Sequence, residues 1–144
     1  MTRSISVVCL IFALLLAGCG AEPVSIDISG EFNMTERGFQ LDGKISEAGT
    51  TGGKDVYRDV VVCLIDENGQ ILNRTQPQNM RLSRGERNVT VSSDRVPKYV
   101  IIHSPDFWDV PDVSVTYYTR ISDGEGFRSH VVQNAEELPV DTCN

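Results

Sequence analysis

These 144 residues contain no apolar run long enough to cross a membrane as a helix, and no long stretch of helical periodicity. The longest apolar run, ISVVCLIFALLLA at 5–17, is 13 residues with one interruption at Ser6, short of the ~20 that span hydrocarbon. An ordinary transmembrane anchor is excluded. Histidine is nearly absent, with only His103 and His130, so a nucleophile that relies on imidazole must use one of these two. Ser104 adjoins His103, but neighbours on a strand point to opposite faces and cannot act as nucleophile and base. His103 therefore reads as a structural strand-end residue. GxSxG, HExxH, phosphate-loop, CxxC and dinucleotide signatures are all missing, and the expectation is a non-enzyme without a cofactor or a metal.

Positive charge is also scarce. Lys44, Lys54 and Lys98 are the only lysines, and 13 Lys and Arg face 20 Asp and Glu, a formal net charge of −7. A balance of this sign repels a nucleic-acid backbone and supplies no basic stripe, so nucleic acid is not an expected partner. The surplus of carboxylates over amines also resembles the proteins of salt-loving archaea, although many extracellular proteins are equally acidic.

The front of the chain is organised. Arg3 precedes the apolar run, and small residues follow it at Ala17 and Gly18, which is the order of a secretory signal. Leu16-Ala17-Gly18-Cys19 resembles the lipobox of prokaryotic lipoproteins. That resemblance implies cleavage before Cys19 and a diacylglyceryl group on its sulfur, since two chains hold a membrane stably where one binds marginally. The alternative is plain secretion with cleavage near Ala21. A lone Arg3 offers no twin-arginine pair, so general secretion is the expected route. The division expected is signal 1–18, lipidated tether 19–23 and one domain over 24–144, on the outer side of the cell membrane.

Roughly 126 mature residues make one domain with an adequate core. Cys9 leaves with the signal and Cys19 takes the lipid, so Cys63 and Cys143 remain as a disulfide pair in an oxidising compartment. The alternative is a buried Cys63 beside a frayed Cys143. Apolar residues recur at spacing two: 24–28 and 39–45 alternate, and 59–65 is nearly continuous, as in a strand covered on both faces. Asn68-Gly69 supplies the positive φ of a tight hairpin into 70–72, and residues 82–86 read as a second turn. Further strands are expected over 88–92, 98–103, 113–121 and 127–133, with a mobile Gly-rich loop at 47–55. The fold expected is all-β, an antiparallel immunoglobulin-like sandwich of about seven or eight strands, with a barrel second. Residues VCLIDENGQIL followed by LSRGE resemble the FxLYD-type modules of prokaryotic surface lipoproteins, through Leu64, Asp66, Gly69, Gly85 and Glu86. Val62, Ile65 and Arg84 depart from that pattern. The resemblance, over residues 56 to about 104, implies a binding or spacer role.

Two features are candidate sites. In SPDFWDVPD, residues 104–112, Asp106, Asp109 and Asp112 are spaced by three on a loop stiffened by Pro105 and Pro111, and could converge on Ca²⁺. Phe107 and Trp108 could offer a platform to a glycan or a surface protein. The alternative is an aromatic closing the open end of the fold while the aspartates cap turns. Asn33, Asn73 and Asn88 head N-glycosylation triplets. The role expected is a membrane-anchored binding or assembly module, with a calcium- or glycan-binding loop or a structural spacer as alternatives. Thiol labelling of the unfolded, unreduced mature protein is expected to find neither Cys63 nor Cys143 reactive; labelling of both removes the bridge.

Overall fold

A computed structural model describes residues 23–49, 53–122, 126–140 and 143. Its strands are β1 (Ser25–Thr35), β2 (Gly38–Ala48), β3 (Tyr57–Ile65), β4 (Ile71–Arg74), β5 (Gln78–Met80), β6 (Arg87–Ser93), β7 (Tyr99–His103), β8 (Ser114–Arg120) and β9 (Phe127–Val132). The regular helical pieces are short 3₁₀ turns, at Leu82–Arg84 and Pro105–Asp109 between strands and at Ala135–Glu137 after β9. No helix among the described residues is long and apolar enough to cross a membrane.

The all-β expectation holds, but the sheet is mixed and nearly closed like a barrel. Its order is β4-β3-β7-β8-β1-β2-β6, with β5 added to β3 and β9 to β8. Neighbours pair antiparallel except β1 and β8, which run parallel through Ser25↔Ser114 and Ile26↔Val115. That one contact joins the β1-β2-β6 ladder to the β4-β3-β7-β8 ladder, where an antiparallel sandwich was expected. A parallel pair between strands so distant in sequence leaves no turn signal to read. At the remaining seam the Asn73 Nδ2 donates to the Ser92 carbonyl at 2.6 Å and draws β4 toward β6.

β3 explains the architecture most directly. Val60, Val62 and Leu64 are fully buried in the main core, while Cys63 and Ile65 are fully buried, with Val61 nearly so, on the opposite face. A continuous apolar run results because both faces are covered, the pattern its sequence predicts. The outer face packs on Ile101, and Leu138, Val140 and Cys143 of the C-terminal segment lie across it. Cys143 is disulfide-bonded to Cys63 with Cα atoms 6.0 Å apart, which closes a loop spanning 80 positions.

Local chemistry sets the turns. Asp66 Oδ1 accepts from the backbone N–H groups of Asn68 (2.9 Å) and Gln70 (2.8 Å), and Gly69 takes φ +80°. An aspartate whose side chain mimics a turn carbonyl, followed by glycine, thereby fixes the β3-β4 hairpin. The β1-β2 hairpin is longer than expected and pairs without a break from Ser25↔Ala48 to Thr35↔Gly38. Its extra length comes from 29–35, where most side chains are exposed and a period-two core signal is absent. β2 likewise absorbs Glu47 and Ala48 from the expected mobile loop, whose residues 50–52 lie outside those described.

Replacing Cys143 with Ser is expected to lower the unfolding free energy by about 2–5 kcal/mol, read as a lower urea midpoint with β-type circular dichroism retained. An unchanged midpoint would show that the bridge contributes nothing to the fold.

Candidate functional site

The segment from Ser104 to Asp112 turns inward. Ser104 is extended (φ −152°, ψ 140°), and its hydroxyl accepts from the Asp106 N–H at 3.2 Å and donates to the Arg58 carbonyl at 2.6 Å. Pro105 at the first position of the 3₁₀ turn has no N–H to satisfy and starts the turn with φ already set. Asp106 consequently points inward and is 1% exposed. Its carboxylate accepts from Arg58 three times: from the backbone N–H and Nε at Oδ2 (2.8 and 3.0 Å), and from Nη2 at Oδ1 (2.8 Å). Lys54 Nζ lies 3.6 Å from Oδ1 and 3.2 Å from Asp109 Oδ2.

These donors account for the electrostatics of the site. Hydrogen bonds from the Arg58 side chain, then from its backbone N–H, hold the Asp106 carboxyl well below the usual carboxylate range despite burial. The Arg58 guanidinium is raised in turn by its hydrogen bond with Asp106. Arg58 precedes Asp59, a non-glycine residue at φ +51°, where the β3-β5 pairing shifts register between Tyr57 and Val60. This irregularity lets the strand present the Arg58 N–H and side chain together to one carboxylate.

The aromatic residues separate. Phe107 is fully buried and meets the Tyr57 ring edge-on, with centroids 5.3 Å apart and planes at 69°. Burial raises the Tyr57 hydroxyl above its ordinary range. Trp108 is half-buried against the same core, and its Nε1 is a buried donor without a partner. Asp109 is exposed beside Lys54, and Asp112 is exposed at φ +55°.

The three carboxylates thus do not converge. Asp106 is taken by Arg58, Asp109 by Lys54, and no group of three metal-ligating side chains occurs among the described residues. Of the residues expected to form a surface loop, Asp106 and Phe107 are core, and Trp108, Asp109 and Asp112 reach solvent. The segment closes the end of the core, because a buried carboxylate is stable there only with the donors that surround it.

The other expected positions are scattered. Asn33, Asn73 and Asn88 are all exposed, but the Asn73 Nδ2, the atom that carries a glycan, makes the β4-β6 seam contact. Asn33 and Asn88 have no side-chain hydrogen bond among the described residues. His103 ends β7 half-buried, and burial lowers its pKa. Cys19 lies outside the described residues.

Two surface features carry no motif. One is a hollow of about 360 Å³ at Ser29, Gly30, Phe32, Tyr118 and Phe127. There the Tyr118 hydroxyl donates to the Ile28 carbonyl (2.6 Å), and burial, followed by the Asp27 charge, pushes its pKa up to about 12. The other, of about 240 Å³, is lined by Lys98, Arg120, Arg128 and His130. The β8-β9 pairing brings Arg120 and Arg128 near one another and the β7-β8 contact adds Lys98; the one hint in sequence is a hairpin with arginine on both arms. No protein-family model, curated protein or solved structure matches the chain.

Asp106→Asn is expected to cost about 2–4 kcal/mol at pH 7, as charge-assisted hydrogen bonds are lost in a buried setting. A depressed folded-state pKa gives stability that is full above the unfolded value near 4 and drains away as pH falls below it. Wild type should therefore lose stability more steeply than Asp106→Asn below about pH 4. Arg58→Met should also be less stable at neutral pH and flatten the acid slope. Parallel acid slopes would contradict the role given to Asp106.

Proposed function

We propose that the chain is a lipid-anchored extracytoplasmic module that binds or assembles with other surface components and performs no catalysis. The observation that carries this reading is the Cys63–Cys143 disulfide across the core strand. A buried structural bridge suits an oxidising compartment outside the cytoplasm. It also leaves Cys19 as the cysteine available for lipid in the stretch Leu16-Ala17-Gly18-Cys19. β1 begins at Ser25, so the tether is short and the domain stands close to the membrane surface.

An immunoglobulin-like arrangement fits the pairings within the two ladders. β2 with β6 corresponds to the B-E pair of that fold, β3, β7 and β8 to its C-F-G sheet, and β1 to its first strand. The FxLYD-type resemblance points the same way: Asp66 and Gly69 make the turn that those modules carry at this place. Folds of this kind serve as display scaffolds whose partner is chosen by surface chemistry. A calcium- or glycan-binding loop at 104–112 finds no support in a segment whose first aspartate and first aromatic are buried.

A mass spectrum of the mature amino terminus from the native host tests the anchor. A Cys19 terminus carrying diacylglyceryl is the expected result, and Cys19→Ala should release the domain or leave its signal uncut. An unmodified terminus near Ala21 would make this a released protein.

A further inference from the structure

We propose that the open edge of β1 receives an extended segment of a partner protein as an added strand, with apolar side chains turned into the aromatic hollow and Lys or Arg side chains turned to solvent. β1 is paired with β2 along its whole length, but its other edge meets β8 only at Ser25 and Ile26. Alternate residues of a strand direct their N–H and C=O to the same edge. The Val24 carbonyl accepts from the Ser114 N–H at 2.7 Å and the Ile28 carbonyl from the Tyr118 hydroxyl at 2.6 Å. Gly30, Phe32 and Met34 therefore present their backbone groups on that same side, where no described strand pairs with them. Unpaired edge groups are a template for another chain.

The hollow of about 360 Å³ lies beside that edge, between Ser29, Gly30 and Phe32 of β1 and Tyr118 and Phe127 of the β8-β9 hairpin. Phe127, Ser129 and Val131 share one face of β9 by alternation, and Thr116 and Tyr118 oppose the last two. Phe32 covers the start of this face, its ring centroid 5.2 Å from Phe127 and 4.8 Å from Tyr118. Beyond it Ser129 is exposed and Val131 is 63% exposed. Gly30 opposes Gly43 and leaves bare backbone at the hollow, the condition for another backbone to approach closely.

Charge selects the occupant. On the outward face of β1 and β2, Glu31 stands directly against Asp42, a like-charge pair that a ladder disfavours. Neither has a cation within 4.0 Å among the described residues, and Lys44, two positions from Asp42 on that face, is paired with Glu86 at 3.6 Å. β1 itself carries Asp27 and Glu31 on this face and no Lys or Arg. Arg120, the cation on the inward face, ends β8 and is not among the residues lining the hollow. A strand laid along β1 sets its outward side chains beside these acids, which favours cations and disfavours a second copy of a net negative chain.

This assignment rests on the binding-module reading and names its surface and the class of its partner, but it is independent of the lipid: an unmodified Cys19 would leave it standing. The test is a titration of the isotopically labelled full chain, in non-ionic detergent, with a short synthetic peptide of alternating valine and lysine. The expected result is saturable NMR shifts at Gly30, Glu31, Phe32, Met34 and Phe127, with slowed hydrogen exchange at the Gly30, Phe32 and Met34 N–H groups. The same peptide with every amide N-methylated should not bind, and a glutamate-for-lysine peptide should bind about tenfold more weakly. Glu31→Lys should weaken the lysine peptide about fivefold without lowering the melting temperature, while Glu67→Lys binds it like wild type. Absence of saturable shifts, equal binding of the methylated peptide or equal weakening by Glu67→Lys would overturn the site. So would a free chain that sediments as a dimer with Gly30, Phe32 and Met34 already protected, since a second copy would then hold the edge. Shifts at Phe32, Tyr118 and Phe127 with an oligosaccharide and none with the peptide would overturn it too, and give the hollow to a sugar.

Discussion

One buried carboxylate sets the terms for this fold. Asp106 is 1% exposed and lies where β3, β7 and the 104–112 segment meet, and it is tolerable there only because Arg58 supplies three donors and Ser104 positions the turn. The register irregularity at Asp59, the inward packing of Phe107 on Tyr57 and the short 3₁₀ turn all serve that placement. Closing the core at this end takes Asp106 and Phe107 out of the solvent and leaves Trp108, Asp109 and Asp112 at the surface without a common focus.

The second constraint lies on the other face of the same strand. β3 is buried on both sides, by the barrel-like core within and by the C-terminal segment without. The described hydrogen bonds of residues 133–138 are local, and among the described residues the C-terminal segment adds Leu138, Val140 and Cys143 to the outer cluster and one hydrogen bond, from Arg74 Nη1 to the Cys143 carbonyl at 3.3 Å. Ordering a backbone residue costs about 1–2 kcal/mol, more over such a stretch than these few contacts return. The bond from Cys143 to Cys63 therefore supplies much of what holds the segment in place. The proposed extracytoplasmic setting is the one in which that bond, and with it the covered outer face of β3, would be maintained.

Much of the strand pattern was legible in the sequence. The β3 run, the Asp66–Gly69 hairpin, the limits of β7 and β9 and the Cys63–Cys143 pair all follow from local chemistry, periodicity or cysteine arithmetic. What was not legible is non-local. The exposed half of β1 has no core period, β5 is three residues long, and the parallel β1-β8 contact closes the sheet without any turn between its strands. Site chemistry divides in the same way. Spacing suggested that Asp106, Asp109 and Asp112 act together, but Arg58 and Lys54, about fifty residues upstream, part them. The cationic hollow depends on one hairpin register and a neighbouring strand, which no window of sequence displays.

The central claim is that the Asp106 segment belongs to the cooperative core. Amide hydrogen exchange of the native protein tests this most directly, by comparing the Arg58 and Asp106 N–H groups with that of Val62 in β3. The account predicts that all three exchange only through global opening, with the same free energy and the same response to denaturant. Fast, denaturant-independent exchange at Arg58 and Asp106, with Val62 still protected, would contradict it and restore residues 104–112 as a loose surface loop free to take a ligand.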